Sequence, residues 1–169
     1  MLAARHGGRL RKSKEHALTD EVRIDGSVVA LAFPQTYMNE SGRALTALVR
    51  RYKIADVGHI VVVHDELDLP LGRIQVKEGG GLAGHNGLKS IREHLHTADF
   101  LRVRIGIGKP PGRREGADHV LRRPSRSERE ELDVSVHEAA DAVECIISAG
   151  PAVAMNRYNQ RPPAAPDEA

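Results

Sequence analysis

The sequence predicts an α/β protein, and three observations carry that prediction. Ile60-Val61-Val62-Val63 is a short, continuous run of β-branched residues, the pattern of a strand covered on both faces. Helical stripes flank it, with Leu45, Leu48, Val49 and Tyr52 before it and Leu88, Ile91 and Leu95 after it. The run then ends in His64-Asp65-Glu66-Leu67-Asp68-Leu69-Pro70, so acids stand at the carboxyl end of a strand, where open α/β sheets bind their ligands. Position alone leaves a second reading open, that Asp65, Glu66 and Asp68 are loop acids facing water.

Each further element has a local signal. Met1 to Arg5 is good helix material with no capping residue ahead of it and Gly7-Gly8 behind, so it reads as the last turns of a helix. An N-terminal segment is therefore expected to be missing. Residues 9–19 are polar, show no period and read as a loop. Val22 and Ile24 alternate with polar residues, and Asp25-Gly26 leads into Ser27-Val28-Val29-Ala30-Leu31-Ala32-Phe33. An Asp-Gly pair between apolar strands signals a hairpin, because a type I′ turn needs positive φ at both central positions. Gln35-Thr36-Tyr37-Met38-Asn39-Glu40-Ser41-Gly42 then leads to the first apolar stripe, with Asn39 or Ser41 as its expected cap and Met38 as a core filler.

After the central run, Ile74 and Val76 alternate with Arg73, Gln75 and Lys77, a strand with one apolar and one basic face. The loop from Gly79 to Gly84 follows, and His85-Asn86 precede the second stripe. Glycines let backbone approach a ligand, and a helix amino end adds free N–H groups; Asn86 as a plain cap is the simpler reading. Leu101, Val103, Ile105 and Ile107 make another half-buried strand, before a Lys109-Pro110-Pro111-Gly112-Arg113-Arg114 loop expected to be mobile. Ser127-Glu128-Arg129-Glu130 reads as a capping box opening a long helix that ends at Gly150-Pro151. A short turn around Met155 to Tyr158 and a disordered tail over residues 161–169 complete the chain.

Composition bounds the function. At 169 residues the chain fits one domain, over residues 1–160, and with aromatics at 3% its core must be aliphatic. A net charge of +2 hides an asymmetry: residues 101–129 hold nine basic side chains against Glu115, Asp118 and Glu128. A basic segment beside a crevice points to a polyanion such as nucleic acid, against the plainer reading of a solvated loop. Cys145 is the only cysteine, which excludes an internal disulfide and a cysteine-based zinc site. No apolar stretch is long enough to span a membrane, and a cytoplasmic location is expected.

Two chemistries are set aside. A P-loop needs Lys after its last glycine, where this chain has His85, and here the glycines follow the acidic strand. The histidines form no metal-ligand spacing, since His94 and His96 point apart on a helix, so neither metal nor cofactor is expected. Acid–base chemistry needs an imidazole oriented by a carboxylate. His64 and Asp65 are strand neighbours facing opposite ways, so Asp65 requires a histidine from elsewhere.

Tyr37-Met38-Asn39-Glu40-Ser41-Gly42, His64 to Pro70, Gly79-Gly80-Gly81-Leu82-Ala83-Gly84-His85-Asn86-Gly87-Leu88 and Arg102-Val103-Arg104-Ile105-Gly106-Ile107-Gly108 together resemble bacterial peptidyl-tRNA hydrolases over nearly the whole chain. The resemblance implies a single-domain, three-layer α/β/α sandwich on a mixed sheet. It also implies a monomer without cofactor that hydrolyses the ester between a peptide and the 3′ end of tRNA, recycling tRNA from stalled translation. It implies that Asp65 orients a general-base histidine, and that Asn39 and Asn86, with Tyr37 and Met38, hold the peptide and the tRNA end. The family's base lies in a stretch before the first helix that has no match here, so that histidine is expected to be absent from this chain; either the chain is inactive as given, or its start is assigned too late and sequence upstream supplies the base. Arg5-His6 sits in the helix tail and does not inherit the role. Two other classes stay open: a non-catalytic RNA-binding protein of the same fold, and a generic small-molecule α/β enzyme.

Overall fold

A computed structural model describes residues 1–110 and 116–160. The end of the expected mobile loop and the whole expected tail lie outside the described residues. A single turn of helix, α1 (Leu2–Arg5), precedes β1 (Arg11–Lys12), β2 (Ala17–Ile24) and β3 (Ser27–Pro34), which pair antiparallel in that order. The Asp25-Gly26 hairpin forms as its sequence requires, with Ile24 opposite Ser27 and φ of 47° and 79° at the two turn residues. The polar stretch expected to be a loop instead contributes β1 and the first half of β2, in which Ala17 and Thr19 turn inward.

The second sheet holds β4 (Val61–Glu66), β5 (Ile74–Glu78) and β6 (Leu101–Gly106) in the order β4-β6-β5. Since β4 runs parallel to β6 and β5 antiparallel, the sheet is mixed. Helices cover both its faces, because alternate strand residues point to opposite sides. On one side Ile74, Val76 and Val103 pack with Ala139, Ala142, Val143 and Ile146 of α5 (Arg126–Ala149) and Ala154 of α6 (Pro151–Tyr158). On the other, Ile60, Leu82 and Phe100 pack with Leu88 and Ile91 of α3 (Asn86–Leu95), and Leu45 and Val49 of α2 (Ser41–Arg51) close over them. These layers make the α/β/α sandwich, and each fully buried aliphatic or phenyl side chain contributes about 1.5–3 kcal/mol.

Three local expectations are corrected. The central run is not covered on both faces: β4 is an edge strand, paired only with β6, and Val63 remains 48% exposed. β6 takes the central place, so it is buried on both faces and even Arg102 is enclosed. The capping box sits two residues earlier than expected. Ser125 Oγ accepts from the Glu128 N–H and the Glu128 carboxylate accepts from the Ser125 N–H at 2.7 Å, with Arg122 bonded to the same carboxylate. Between β6 and α5 lies a short α4 (Gly116–Leu121).

α2 and α3 meet almost backbone to backbone. A side chain at Gly42 would collide with the Ser90 carbonyl oxygen, and the Gly42 N–H donates to Ser90 Oγ at 3.0 Å.

Candidate active site at the end of β4

Strand alternation sends Asp65 and Glu66 to opposite sides of β4, and their surroundings differ accordingly. Glu66 is 4% exposed, and its carboxylate accepts from Arg104 at 2.9 and 3.0 Å and from the Asp68 N–H at 3.1 Å. Arg104 is bonded in turn to Gln75. That network is closed. The Asp65 side chain is 29% exposed, and its Oδ1 lies 3.0 Å from His85 Nε2.

His85 is the cap of α3. Its Nδ1 accepts from the Gly87 N–H at 3.1 Å and the Leu88 N–H at 3.3 Å, so that nitrogen carries the lone pair and the ring proton sits on Nε2, donated to Asp65. The same bond holds the Asp65 carboxyl below the usual carboxylate range, outweighing the opposing effect of burial. His64 stands edge-on to His85, ring centres 5.0 Å apart, and donates from Nδ1 to its neighbour's carbonyl, Asp65 O, at 2.7 Å. Burial pushes the His64 imidazole down to about 4, and its enclosed Nε2 has no partner among the described residues.

Asp65 does meet one histidine of this chain, His85, twenty residues on, but the Nδ1 of that ring is committed to the first turn of α3, so it is not the general base expected to be absent. His64 and Asp65 do face apart, as the strand pattern requires. His6 bonds Glu144 of α5 at 2.8 Å. Sequence reasoning met His85 as the residue at the lysine position of a P-loop, as the neighbour of Asn86 before a helix and as part of the resembling motif, and gave it no role of its own. Its signal was a polar side chain directly before a helix, but histidine is not among the usual caps.

The two amides are not caps. α3 is capped by His85, with exposed Asn86 as its first residue. Asn39 lies in a 3-10 turn (Met38–Glu40), α2 starts with no side-chain cap, and Ser41 Oγ donates to the Met38 carbonyl at 2.7 Å. Among the described residues neither amide side chain has a hydrogen bond, so both are free for a ligand. Met38 is no core filler either, being 54% exposed, and its sulfur lies over the first turn of α3: a side-chain carbon at Gly87 would come 2.7 Å from it. The turn bearing Asn39 and the helix end bearing His85 and Asn86 are thus in contact. Tyr37, 81% exposed, flanks this turn and lines an open hollow with His16, Thr36 and Arg43.

The basic segment is less available than its composition suggests. Arg102 is buried, Arg104 is spent on Glu66, Lys109 lies 3.1 Å from Asp68, Arg122 binds Glu128, and Arg126 lies 3.3 Å from Glu130. No helix of the described residues is long and apolar enough to cross a membrane.

Comparison with known proteins gives one answer. The family model described as peptidyl-tRNA hydrolase matches residues 1–166. A peptidyl-tRNA hydrolase of Rhodococcus erythropolis is 50% identical over 159 residues, covering 94% of this chain and 83% of the relative. That of Frankia alni is 47% identical over 159 residues, covering 94% and 80%. The crystal structure of peptidyl-tRNA hydrolase from Acinetobacter baumannii superposes with a TM-score of 0.87 at 36% identity, covering 96% of this chain and 83% of that one. Asp65 and His85 are bonded at the end of β4, the turn bearing Asn39 touches the helix that Asn86 opens, and the chain belongs to the peptidyl-tRNA hydrolase family, a family of hydrolases.

Proposed function

We propose that the ester of peptidyl-tRNA is bound and cleaved at the corner formed by Asp65, His85, Asn86, Asn39, Met38 and Tyr37. Ester hydrolysis needs a group that takes a proton from water as it attacks, and donors that stabilise the developing oxyanion. His85 is not the base in this arrangement, because its only lone pair is committed to two backbone N–H groups. Its part is to hold Asp65. Asp65, with its basicity lowered by that bond, is suited to orienting and stabilising positive charge rather than to keeping the proton. Its second oxygen is left for that purpose, at the place where the resemblance puts the general-base imidazole.

The side-chain amides of Asn39 and Asn86 each offer donors and an acceptor, which suits a peptide backbone or the sugar hydroxyls of a tRNA end. Met38 and Tyr37 supply apolar surface beside them. The proposed working unit is a single chain acting in the cytoplasm, a reading supported by all the proposed residues being of one chain and by the substrate being a translation product. The observation carrying this reading is the 3.0 Å Asp65–His85 bond at the helix end that also bears Asn86 and meets the turn of Asn39, two amides with no hydrogen bond among the described residues. Catalysis is favoured over RNA binding alone because the family is one of enzymes.

The test is Asp65→Asn, assayed for turnover of peptidyl-tRNA and for RNA affinity. Turnover is expected to fall by about a hundredfold or more, with affinity changed less than threefold. Equal turnover before and after the substitution overturns the reading.

A further inference from the structure

Among the described residues Arg102 is the largest fully enclosed side chain, 1% exposed, and it is bonded to no carboxylate. Its guanidinium donates from Nη1 to the Gly81 carbonyl at 2.8 Å and from Nη2 to the Gly79 carbonyl, while Nε has no partner among the described residues. The Phe100 ring lies 6.0 Å from its charge. Burying a cation on two neutral acceptors is costly, and apolar residues of similar volume commonly replace buried ions without loss of stability. Stability alone is thus a poor reason for an arginine here. Geometry is a better one, because a planar fork can grip two carbonyls at a fixed angle and an ammonium or a methyl group cannot.

What the fork grips is the loop leading into the site. Gly80, with φ of 84°, adopts a conformation that only glycine takes cheaply, and in it the carbonyls on either side both reach Arg102. Next comes Leu82, buried against Leu88, Ile91 and Phe100, whose carbonyl accepts the His85 N–H at 3.0 Å. His85 then meets Asp65. The start of the loop is secured independently, since the Gly79 N–H donates to the Phe100 carbonyl at 3.2 Å.

We infer that Arg102 is a positioning residue for the reaction: by clamping the carbonyls of Gly79 and Gly81 it sets the angle at which His85 is presented to Asp65. This rests on the reading of the Asp65 corner given above. Arg102→Lys keeps the charge and removes the fork, and three quantities are measured on it: the kcat and KM for peptidyl-tRNA, the thermal midpoint, and the ring 15N resonances of His85 with His94 as a control on the same helix.

The expected result is a kcat lowered tenfold or more with KM within threefold. The His85 ring should lose its single Nε2–H signature while His94 keeps its own. A kcat that falls only with the folded fraction, with the His85 signature unchanged, overturns the inference. Should Arg102→Lys not fold, Gly80→Ala strains the same loop from its own side. It is expected to give the same pattern, and a soluble Gly80→Ala with normal kcat and normal His85 signature also overturns the proposal. If Asp65→Asn leaves turnover intact, the reading of the site fails, but the His85 resonances in Arg102→Lys still decide whether Arg102 positions the ring.

Discussion

Asp65 and Glu66 are consecutive carboxylates at the end of one strand, yet one is enclosed in the scaffold and the other, on which the proposed site rests, is left partly open. Glu66 is enclosed and saturated by Arg104 and a backbone N–H. Asp65 is partly open and its carboxylate is bonded through Oδ1 to His85. A single step along a strand reverses the side on which a group lies, so adjacent acids can serve unrelated ends. The difference is one of surroundings: membership of a run of acids does not distinguish the two, and only their partners do.

The largest expected effect is on the scaffold acid. Glu66→Ala leaves the Arg104 charge buried and should cost about 3–5 kcal/mol in urea unfolding, while molecules that remain folded keep most of their turnover. Asp65→Asn should do the reverse, changing stability by less than about 1 kcal/mol. If the two exchange signatures, the comparison is broken.

A second effect comes from the ring behind the dyad. The His64 pKa lies at about 4 in the folded chain and near 6.5 when unfolded. The unfolded state therefore binds more protons between these values. The associated stability is complete above about pH 6.5 and lost as pH falls towards 4, amounting to about 3 kcal/mol. His64→Phe should flatten that part of the stability profile, read from urea midpoints at pH 7 and pH 5. The stabilisation linked to Asp65, whose pKa is lowered, is lost at more acid pH, as the solution falls below the ordinary carboxylate value.

A smaller effect separates the two tasks of His85. His85→Asn supplies another capping side chain but no N–H at the same place on Asp65, so stability should stay within about 0.5 kcal/mol. Turnover should fall about tenfold. A large loss of stability with normal turnover would make His85 a cap and nothing more. The smallest effect concerns Lys109, whose contact with Asp68 is largely exposed. Lys109→Ala should change stability by less than about 0.5 kcal/mol and turnover not at all.

Much of the fold was legible because its signals are local. Asp25-Gly26 dictates its own turn, the stripe of Leu88, Ile91 and Leu95 dictates a helix, and Ile74 and Val76 mark a one-sided strand. What was not legible depends on neighbours distant in sequence. Nothing in the polar run before Val22 announces that Ala17 and Thr19 will face inward. Four β-branched residues look central, yet strand order puts β4 at an edge and gives the buried place to β6, where alternation disguised Arg102 as a surface residue. For the candidate site, position alone left Asp65 open between a ligand-site acid and a loop acid, and the roles expected for Asp65, Asn39 and Asn86 came from the resemblance. The bond to His85 joins residues twenty apart through a loop whose path no periodicity records.

The near contact of Gly42 with Ser90 has a mechanical outcome. With no side chain between them, α2 and α3 approach at backbone distance there, so any larger residue at position 42 has to prise the two helices apart and break the bond to Ser90.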